Sequence, residues 1–226
     1  MASTRSFAEH IIEFIQGLDT TIPLPDGVDW IYPFKQPEVV EMATRFYTQY
    51  YSDTKDRHFL FGINPGRLGA GMTGVPFTDP ILLEDKCGIA NEAQKKHELS
   101  SLFIYEMIEH VGGLDWFFKR YYISSLCPLG FIKEKKNFNY YDSRELMSAV
   151  KGFIVESVEK QVSKYCKSDK AFSLGQGKNF KIFAELNQEY KWFEEVIPLP
   201  HPRWVMQYKR KHKSKYLDEY LLKLNP

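Results

Sequence analysis

The sequence predicts an α/β fold in which a mostly parallel β-sheet is covered by helices on both faces. Two observations support this class. Short apolar runs of strand length alternate along the chain with stretches of helical periodicity, as they do in parallel α/β sheets. In addition, three of the strand-like runs end beside a polar residue that is held by proline. Parallel strands deliver such residues to one crevice, which is where ligands bind in open α/β sheets.

The first half of the chain alternates between helix and strand. Apolar residues at helical spacing predict helices at residues 4–17, 37–51 and 98–111. Apolar runs predict strands at residues 57–63 and 120–125. Residues 21–37 are rich in proline and are expected to form an ordered loop, and residues 64–80 form a second loop. Residues 81–97 are polar and give no clear assignment.

The second half continues the same alternation. A polar loop that contains Asn137 and Asn139 leads to a helix at residues 143–165, for which Ser143 is a suitable N-cap. A strand at 170–174, a glycine turn, a helix at 179–190 and a strand at 194–199 follow. A basic loop and a helix at 215–224 complete the chain. The absence of repeats and low-complexity linkers favours a single domain over residues 1–226.

Composition narrows the function classes. The formal net charge is +1, so the whole molecule is not an electrostatic binder of nucleic acid, although basic residues cluster at 209–215. The three cysteines have no paired spacing, which indicates reduced thiols in a cytoplasmic protein. No apolar run is long enough for a membrane span, and residues 1–5 give no sign of a signal peptide. The histidines show no metal-ligand spacing, so no metal site is expected.

Three strand-end segments carry the chemistry. The first reads Gly-Ile-Asn-Pro-Gly at 62–66 and continues as Thr-Gly-Val-Pro-Phe at 73–77. The second reads Ser-Ser-Leu-Cys-Pro-Leu at 124–129, and the third reads Pro-Leu-Pro-His-Pro at 198–202. A stiff turn can aim the amide of Asn64 at a reacting centre, and Phe77 offers a ring on which a planar base can stack.

The three segments together resemble the uracil-DNA glycosylase superfamily, and most closely its single-strand-selective monofunctional branch. That branch carries Gly-Met-Asn-Pro-Gly, which residues 62–66 match except at Ile63, and Thr-Gly-Val-Pro-Phe, which residues 73–77 match fully. Its motif Asn-Leu-Cys-Pro-Leu differs from residues 125–129 only at Ser125. Its motif His-Pro-Ser-Pro is kept only at His201 and Pro202. The chain thus resembles a bacterial-type sister subfamily of that branch.

The resemblance implies a fold and an activity. The fold is a three-layer α/β/α structure around a four-stranded parallel sheet. The activity is that of a monofunctional DNA glycosylase of base excision repair, which hydrolyses the N-glycosidic bond of a deaminated base and leaves an abasic site. The implied substrates are uracil and, because of Ser125, hypoxanthine and xanthine in DNA. No metal or organic cofactor is implied, and a monomer is expected.

The resemblance also assigns residues. Asn64 is expected to position water, and His201 to stabilise the departing base. Gly66 leaves room where other branches place a bulky ring. A set of residues is expected to bind the substrate base: Ile63, Gly66, Phe77, Ser124 and Ser125. Period-two alternation allows only one of the two serines to face the pocket. A second set is expected to bind DNA: Arg203, Trp204, Tyr208, Lys209, Arg210 and Lys211.

Alternative interpretations remain open from the residues alone. His201 could be a structural hydrogen-bonding group, Phe77 a core residue and Asn64 a simple turn residue. Trp204 and Tyr208 could pack on the surface. A non-catalytic protein that binds damaged or single-stranded DNA would use the same basic and aromatic residues. A hydrolase of free nucleosides is disfavoured, because it would not need the basic residues at 209–215.

Overall fold

The computed structural model describes residues 5–224, which form helices around two β-sheets. Residues 1–4, on which the expectation about a signal peptide rests, and residues 225–226 lie outside the described residues. The strands are β1 (Val28–Ile31), β2 (His58–Gly62), β3 (Tyr121–Ser125), β4 (Gly130–Lys133), β5 (Lys136–Phe138), β6 (Lys170–Leu174) and β7 (Glu195–Leu199). The α-helices are α1 (Phe7–Gln16), α2 (Pro37–Tyr51), α3 (Ala70–Thr73), α4 (Pro80–Asp85), α5 (Leu99–Val111), α6 (Leu114–Phe118), α7 (Arg144–Val162), α8 (Lys178–Tyr190), α9 (Pro202–Tyr208) and α10 (Lys213–Leu224).

The larger sheet is parallel and has four strands in the order β3-β2-β6-β7. Leu60 at the centre of β2 lies between Ile123 of β3 and Phe172 of β6. Residues 59–61 are completely buried, as expected for a parallel strand that is covered on both faces. The predicted fold class and the four-stranded parallel sheet are therefore confirmed.

Helices cover both faces of this sheet. Phe59 of β2 stacks on Phe7 of α1, with ring centroids 5.9 Å apart. Tyr121 of β3 faces the opposite layer, because neighbouring side chains on a strand alternate between faces. There it stacks on Phe117 of α6, and its hydroxyl donates to the carbonyl of Leu224 at the end of α10. The arrangement is helix, sheet, helix.

The smaller sheet is antiparallel, in the order β1-β4-β5, and the sequence analysis did not predict it. The prediction of loops at residues 21–37 and around Asn137 was wrong, because these segments contain β1 and β5. Strands of only three or four residues are too short to show a clear alternation of apolar and polar residues. The β4–β5 hairpin turns at Glu134 and Lys135, which have positive φ values of 49° and 60°. Such a turn usually carries glycine or asparagine, so its sequence signal is missing here.

The longer helices agree with the sequence prediction. Helix α2 begins at Pro37 and ends at Tyr51, and Ser143 caps α7 by accepting a hydrogen bond from Leu146 N–H at 3.1 Å. The segment after His201, predicted as a basic loop, is instead helix α9, followed by a 3₁₀ turn at Arg210–His212. The first helix begins at Phe7, and Thr4 of its predicted span lies outside the described residues. Within residues 5–224, no helix combines the length and apolarity needed to cross a bilayer.

Candidate active site

The carboxyl ends of three parallel strands meet at one cavity of about 530 Å³. The segments that follow β2, β3 and β7 bring Asn64, Ser125 and His201 to its wall. Seven residues that the sequence analysis singled out line it: Ile63, Asn64, Gly66, Phe77, Ser125, His201 and Arg203. The convergence that the strand-end pattern predicts is therefore present.

The side chain of Asn64 is fixed by the segment that follows the β4–β5 hairpin. Its Oδ1 accepts a hydrogen bond from Tyr140 N–H at 3.2 Å, and its Nδ2 donates to Phe138 O and Pro65 O, both at 3.3 Å. A donor on one side and carbonyls on the other allow only one orientation of the amide. Both Nδ2 hydrogens already form hydrogen bonds. The one hydrogen bond that the Asn64 side chain can still form is therefore through the second lone pair of Oδ1, as an acceptor.

The two serines at the end of β3 point in different directions. Ser124 is buried, and its hydroxyl donates to Oε1 of Gln161 on α7. The neighbouring Ser125 lies on the other face of the strand and lines the cavity. Among the described residues, its hydroxyl has no hydrogen-bond partner. The structure thus brings Ser125 to the cavity wall, whereas the hydroxyl of Ser124, the other serine predicted to bind the base, is occupied by Gln161.

Phe77 forms one side of the cavity and is held there by the backbone. It has a positive φ of 54° although it is not glycine, which marks a constrained position. Its ring packs directly over Gly62 at the end of β2. A Cβ atom at Gly62 would lie only 2.8 Å from Cε2 of Phe77. Only glycine at this strand end therefore allows the ring to lie where it does.

Gly66 has no side chain, and part of the space that a side chain would fill is occupied by Asn137 of the β4–β5 hairpin. A Cβ atom at Gly66 would approach Nδ2 of Asn137 to 2.9 Å and Oε1 of Glu98 to 3.9 Å. A bulky ring at this position would displace the Asn137 amide. The cavity wall at Gly66 is thus formed by two polar groups from distant parts of the chain.

His201 is the N-cap of α9. Its Nδ1 accepts a hydrogen bond from Arg203 N–H at 3.2 Å. Burial, with a smaller contribution from the positive charge of Arg203, lowers the pKa of His201 to about 4. The imidazole is therefore neutral near pH 7. Because Nδ1 is the acceptor, the proton resides on Nε2, which makes Nε2–H a hydrogen-bond donor.

Comparison with known proteins identifies the family. No curated protein matches the chain. The structure is similar to the crystal structure of wild-type SMUG2 from Pedobacter heparinus, with 43% sequence identity, a TM-score of 0.94 and 97% of each chain covered. A family model of the uracil DNA glycosylase superfamily matches residues 48–225. The chain belongs to the uracil DNA glycosylase superfamily.

Membership of the uracil DNA glycosylase superfamily confirms the predicted enzyme class. The protein is a monofunctional DNA glycosylase, which hydrolyses N-glycosyl bonds in DNA and acts in base excision repair. Its substrate is therefore a nucleotide of DNA. In duplex DNA such an enzyme must extrude the target base from the helix before it can act, and the cavity at the strand ends has an aromatic wall on which a base can stack.

The predicted DNA-binding residues of this glycosylase lie on and after α9. Arg203 lines the cavity, Trp204 is 40% exposed and Tyr208 is 65% exposed. Nζ of Lys209 lies 5.6 Å from the centroid of the Trp204 ring, a cation–π distance. Arg210 and Lys211 are exposed in the 3₁₀ turn. Lys213, a cation of the same segment, is instead paired with Glu106 of α5.

Several polar residues of the cavity were missed by the sequence analysis. These are Arg67, Glu98, Lys136, Asn137 and Asn139. Burial raises the pKa of the Glu98 carboxyl, while a hydrogen bond from Ser100 and the charge of Arg203 lower it. Glu98 and the hairpin asparagines belong to elements distant from the three motifs, so no local pattern could have linked them to the cavity. In the part of the chain that the structure describes, no group of His, Cys, Asp and Glu has a metal-binding arrangement.

Proposed function

We propose that the protein removes uracil, hypoxanthine and xanthine from DNA and leaves an abasic site. The observation that supports this proposal most directly is that the Ser125 hydroxyl and Gly66 line the same cavity of about 530 Å³. A hydroxyl can donate or accept, and it therefore tolerates different base edges better than an amide does. The description of the family names uracil, which supports uracil as one substrate.

In this proposal Asn64 positions the attacking water. The free lone pair of its Oδ1 accepts a hydrogen bond from one water molecule, because the other groups of the amide are already occupied. The oxygen of that water attacks C1′ of the deoxyribose, and the electron pair of the N-glycosidic bond leaves with the base. The proton that the attacking water loses passes to solvent, and the anionic base takes up a proton from solvent. An amide cannot take a proton as a carboxylate does, so Asn64 contributes orientation and not general-base catalysis.

His201 stabilises the charge that develops on the departing base. Its neutral imidazole presents Nε2–H to a carbonyl oxygen of the base, and the bond strengthens as that oxygen becomes negative. One preorganised donor of this kind lowers a barrier by ~3–4 kcal/mol. Because the proton of the donor is fixed by the Arg203 N–H bond, no tautomer change is needed during the reaction.

The bound base stacks on Phe77. The ring is held by its close contact with Gly62, so it offers a flat surface at a fixed position. Stacking of one base on an aromatic side chain contributes roughly 1–3 kcal/mol and does not depend strongly on which base is bound. This explains how one pocket accepts both a pyrimidine and the larger purines, with Ile63 completing the wall.

The proposal is tested by incubating the purified protein with oligonucleotides that carry uracil, hypoxanthine, xanthine or thymine at one position. Alkaline cleavage reveals abasic sites, and each strand is tested alone and in a duplex. We expect cleavage at the three deaminated bases, in the presence of EDTA, and none at thymine. Tight binding without abasic sites would instead support the non-catalytic DNA-binding protein.

Further properties follow from the same proposal. We expect the enzyme to act as a monomer, as one domain over residues 1–226, and in the cytoplasm. Light scattering after size-exclusion chromatography measures the mass in solution, which should correspond to a single chain of 26.5 kDa. A mass of twice that value would contradict the monomer.

A further inference from the structure

Asn137 lies on β5 and reaches the cavity from the β4–β5 hairpin. Its backbone is paired with Ile132 of β4. The hairpin is also pressed against the loop after β2, because a Cβ atom at Gly130 would lie 2.2 Å from Pro65 O. The hairpin and the loop thus form one continuous wall, and Asn137 has a defined position in it.

The amide of Asn137 has a fixed orientation. Its Oδ1 accepts a hydrogen bond from Arg67 N–H at 3.0 Å. The Nδ2 atom therefore points the other way, over Gly66, where a Cβ atom would be 2.9 Å from it. Among the described residues no acceptor bonds to Nδ2. Asn137 consequently presents two N–H donors to the cavity, which the Ser125 hydroxyl also lines.

We propose that Asn137 reads the oxygen that deamination creates on uracil and on hypoxanthine. Deamination of cytosine puts this oxygen at C4, and deamination of adenine puts it at C6; in xanthine the new oxygen is at C2, and the 6-oxygen is already present in guanine. A group that can only donate matches this oxygen and opposes the amino group that it replaces. In a purine the neighbouring N7 is a second acceptor for the second N–H. This inference rests on the proposed function and names the group that selects uracil over cytosine and hypoxanthine over adenine.

The fixed orientation is what makes Asn137 selective. If the amide rotated to accept from an amino group, Nδ2 would face Arg67 N–H, and two donors would oppose each other. Ser125 can switch between donor and acceptor by rotating its hydroxyl, so it cannot exclude cytosine or adenine. Asn137 is exposed to solvent, and a bound base would cover its N–H groups. A polar group that the wrong base covers and leaves unpaired disfavours that base, and Asn137 supplies this discrimination.

The test removes either the side chain or the oxygen that it reads. Excision of uracil is compared with excision of 2-pyrimidinone, which lacks the 4-oxygen, and excision of hypoxanthine with that of unsubstituted purine. For Asn137→Ala we expect the preference for the oxygen-bearing base to fall about tenfold or more in both pairs, which is the effect of one lost hydrogen bond. The control is Asn139→Ala, another amide of the cavity wall, whose Nδ2 contacts Asp142. Its preferences should match those of the wild type.

A different result is expected if Asn137 only holds the loop through its hydrogen bond with Arg67 N–H. In that case Asn137→Ala slows excision of both bases in each pair equally, and the unchanged ratio would overturn the inference. If a variant is too slow to measure, affinities for DNA with 2′-fluoro versions of the same nucleotides give the ratio without cleavage. Asn137→Asp keeps the acceptor for Arg67 N–H but replaces the donor by a second acceptor. It should therefore increase the affinity for DNA with the 2′-fluoro nucleotide of cytosine relative to that of uracil. A wild-type protein that leaves uracil and hypoxanthine intact would instead reject the proposed function itself.

Discussion

The Oδ1 atom of Asn64 accepts a hydrogen bond from Tyr140 N–H at 3.2 Å, and this bond joins the loop after β2 to the residues after the β4–β5 hairpin. Together with the Nδ2 bond to Phe138 O, it fixes the amide whose remaining lone pair faces the cavity. The Asn64 side chain thus both stabilises the loop and positions the water. The substitutions Asn64→Ala and Asn64→Asp test these two contributions separately.

Asn64→Ala should lower the single-turnover rate about a hundredfold or more, because it removes the oxygen that holds the water. Asn64→Asp keeps that oxygen but loses the two Nδ2 hydrogen bonds that fix it. The aspartate also sets a carboxylate oxygen against Phe138 O and Pro65 O, at a cost of about 1–3 kcal/mol. The two carbonyls raise the pKa of this aspartate in the folded state above its unfolded value. The variant is therefore most stable while the carboxyl is protonated, and it loses stability as the pH rises through the folded pKa. Thermal unfolding should show a smaller deficit at pH 5 than at pH 8. A deficit that does not change with pH would reject this geometry.

His201 should make the wild type less stable in mild acid. Its folded pKa of about 4 lies below the unfolded value, so the unfolded chain takes up the proton first as the pH falls. The stability is fully present above pH ~6.5 and is lost toward pH ~4, by at most about 2 kcal/mol between pH 7 and 5. His201→Asn keeps a capping side chain but does not titrate, so it should lose less. Denaturant titrations at the two pH values measure this. Equal losses in both proteins would show that His201 titrates normally.

The structure also shows which features of this fold are readable from sequence. The central strands were predicted within a few residues because burial on both faces gives continuous apolar runs, and the helices α2, α5, α7 and α8 because their apolar residues recur at helical spacing. The β4–β5 hairpin was not, because its turn at Glu134 and Lys135 lacks the usual residues. Asn64 and His201 follow strands directly and could be placed from local pattern. Asn137 reaches the cavity through tertiary contacts, which no local pattern records.

Ser125→Asn should narrow the substrate range. The substitution places an amide at the cavity wall, where the single-strand-selective monofunctional branch has one. An amide has a fixed donor and a fixed acceptor and therefore discriminates between base edges more strictly than a hydroxyl does. We expect the ratio of uracil excision to hypoxanthine excision to rise about tenfold, as expected for about one hydrogen bond of discrimination. Ser124→Ala is the matched control, since Ser124 bonds to Gln161 and not to the cavity. If the ratio stays at the wild-type value in Ser125→Asn, Ser125 does not contact the base.

The exposed cations after α9 should bind phosphate. Each lost phosphate contact lowers the slope of log affinity against log salt by about one unit. Lys209→Ala combined with Arg210→Ala should therefore weaken binding to all DNA sequences and reduce the slope by up to about two units. Lys151→Ala is a suitable control, because Lys151 on α7 is already paired with Glu189 at 3.3 Å. Anisotropy titrations at several salt concentrations give the slopes, and an unchanged slope in the double variant would exclude these residues from the phosphate contact.

Arg203 and Trp204 should act as the group that fills the gap left by a flipped base. Both are exposed at the start of α9, and Arg203 lines the cavity that receives the base. A single strand has no stack to hold open, so only duplex DNA requires this filling. Arg203→Ala and Trp204→Ala should therefore slow excision from duplex DNA about tenfold more than from single strands, a loss of roughly 1.4 kcal/mol specific to the duplex. Tyr190→Ala, which removes an exposed ring at the end of α8, should slow neither substrate. Equal losses on duplex and single-stranded DNA would mean that these residues contact the flipped nucleotide itself and not the gap behind it.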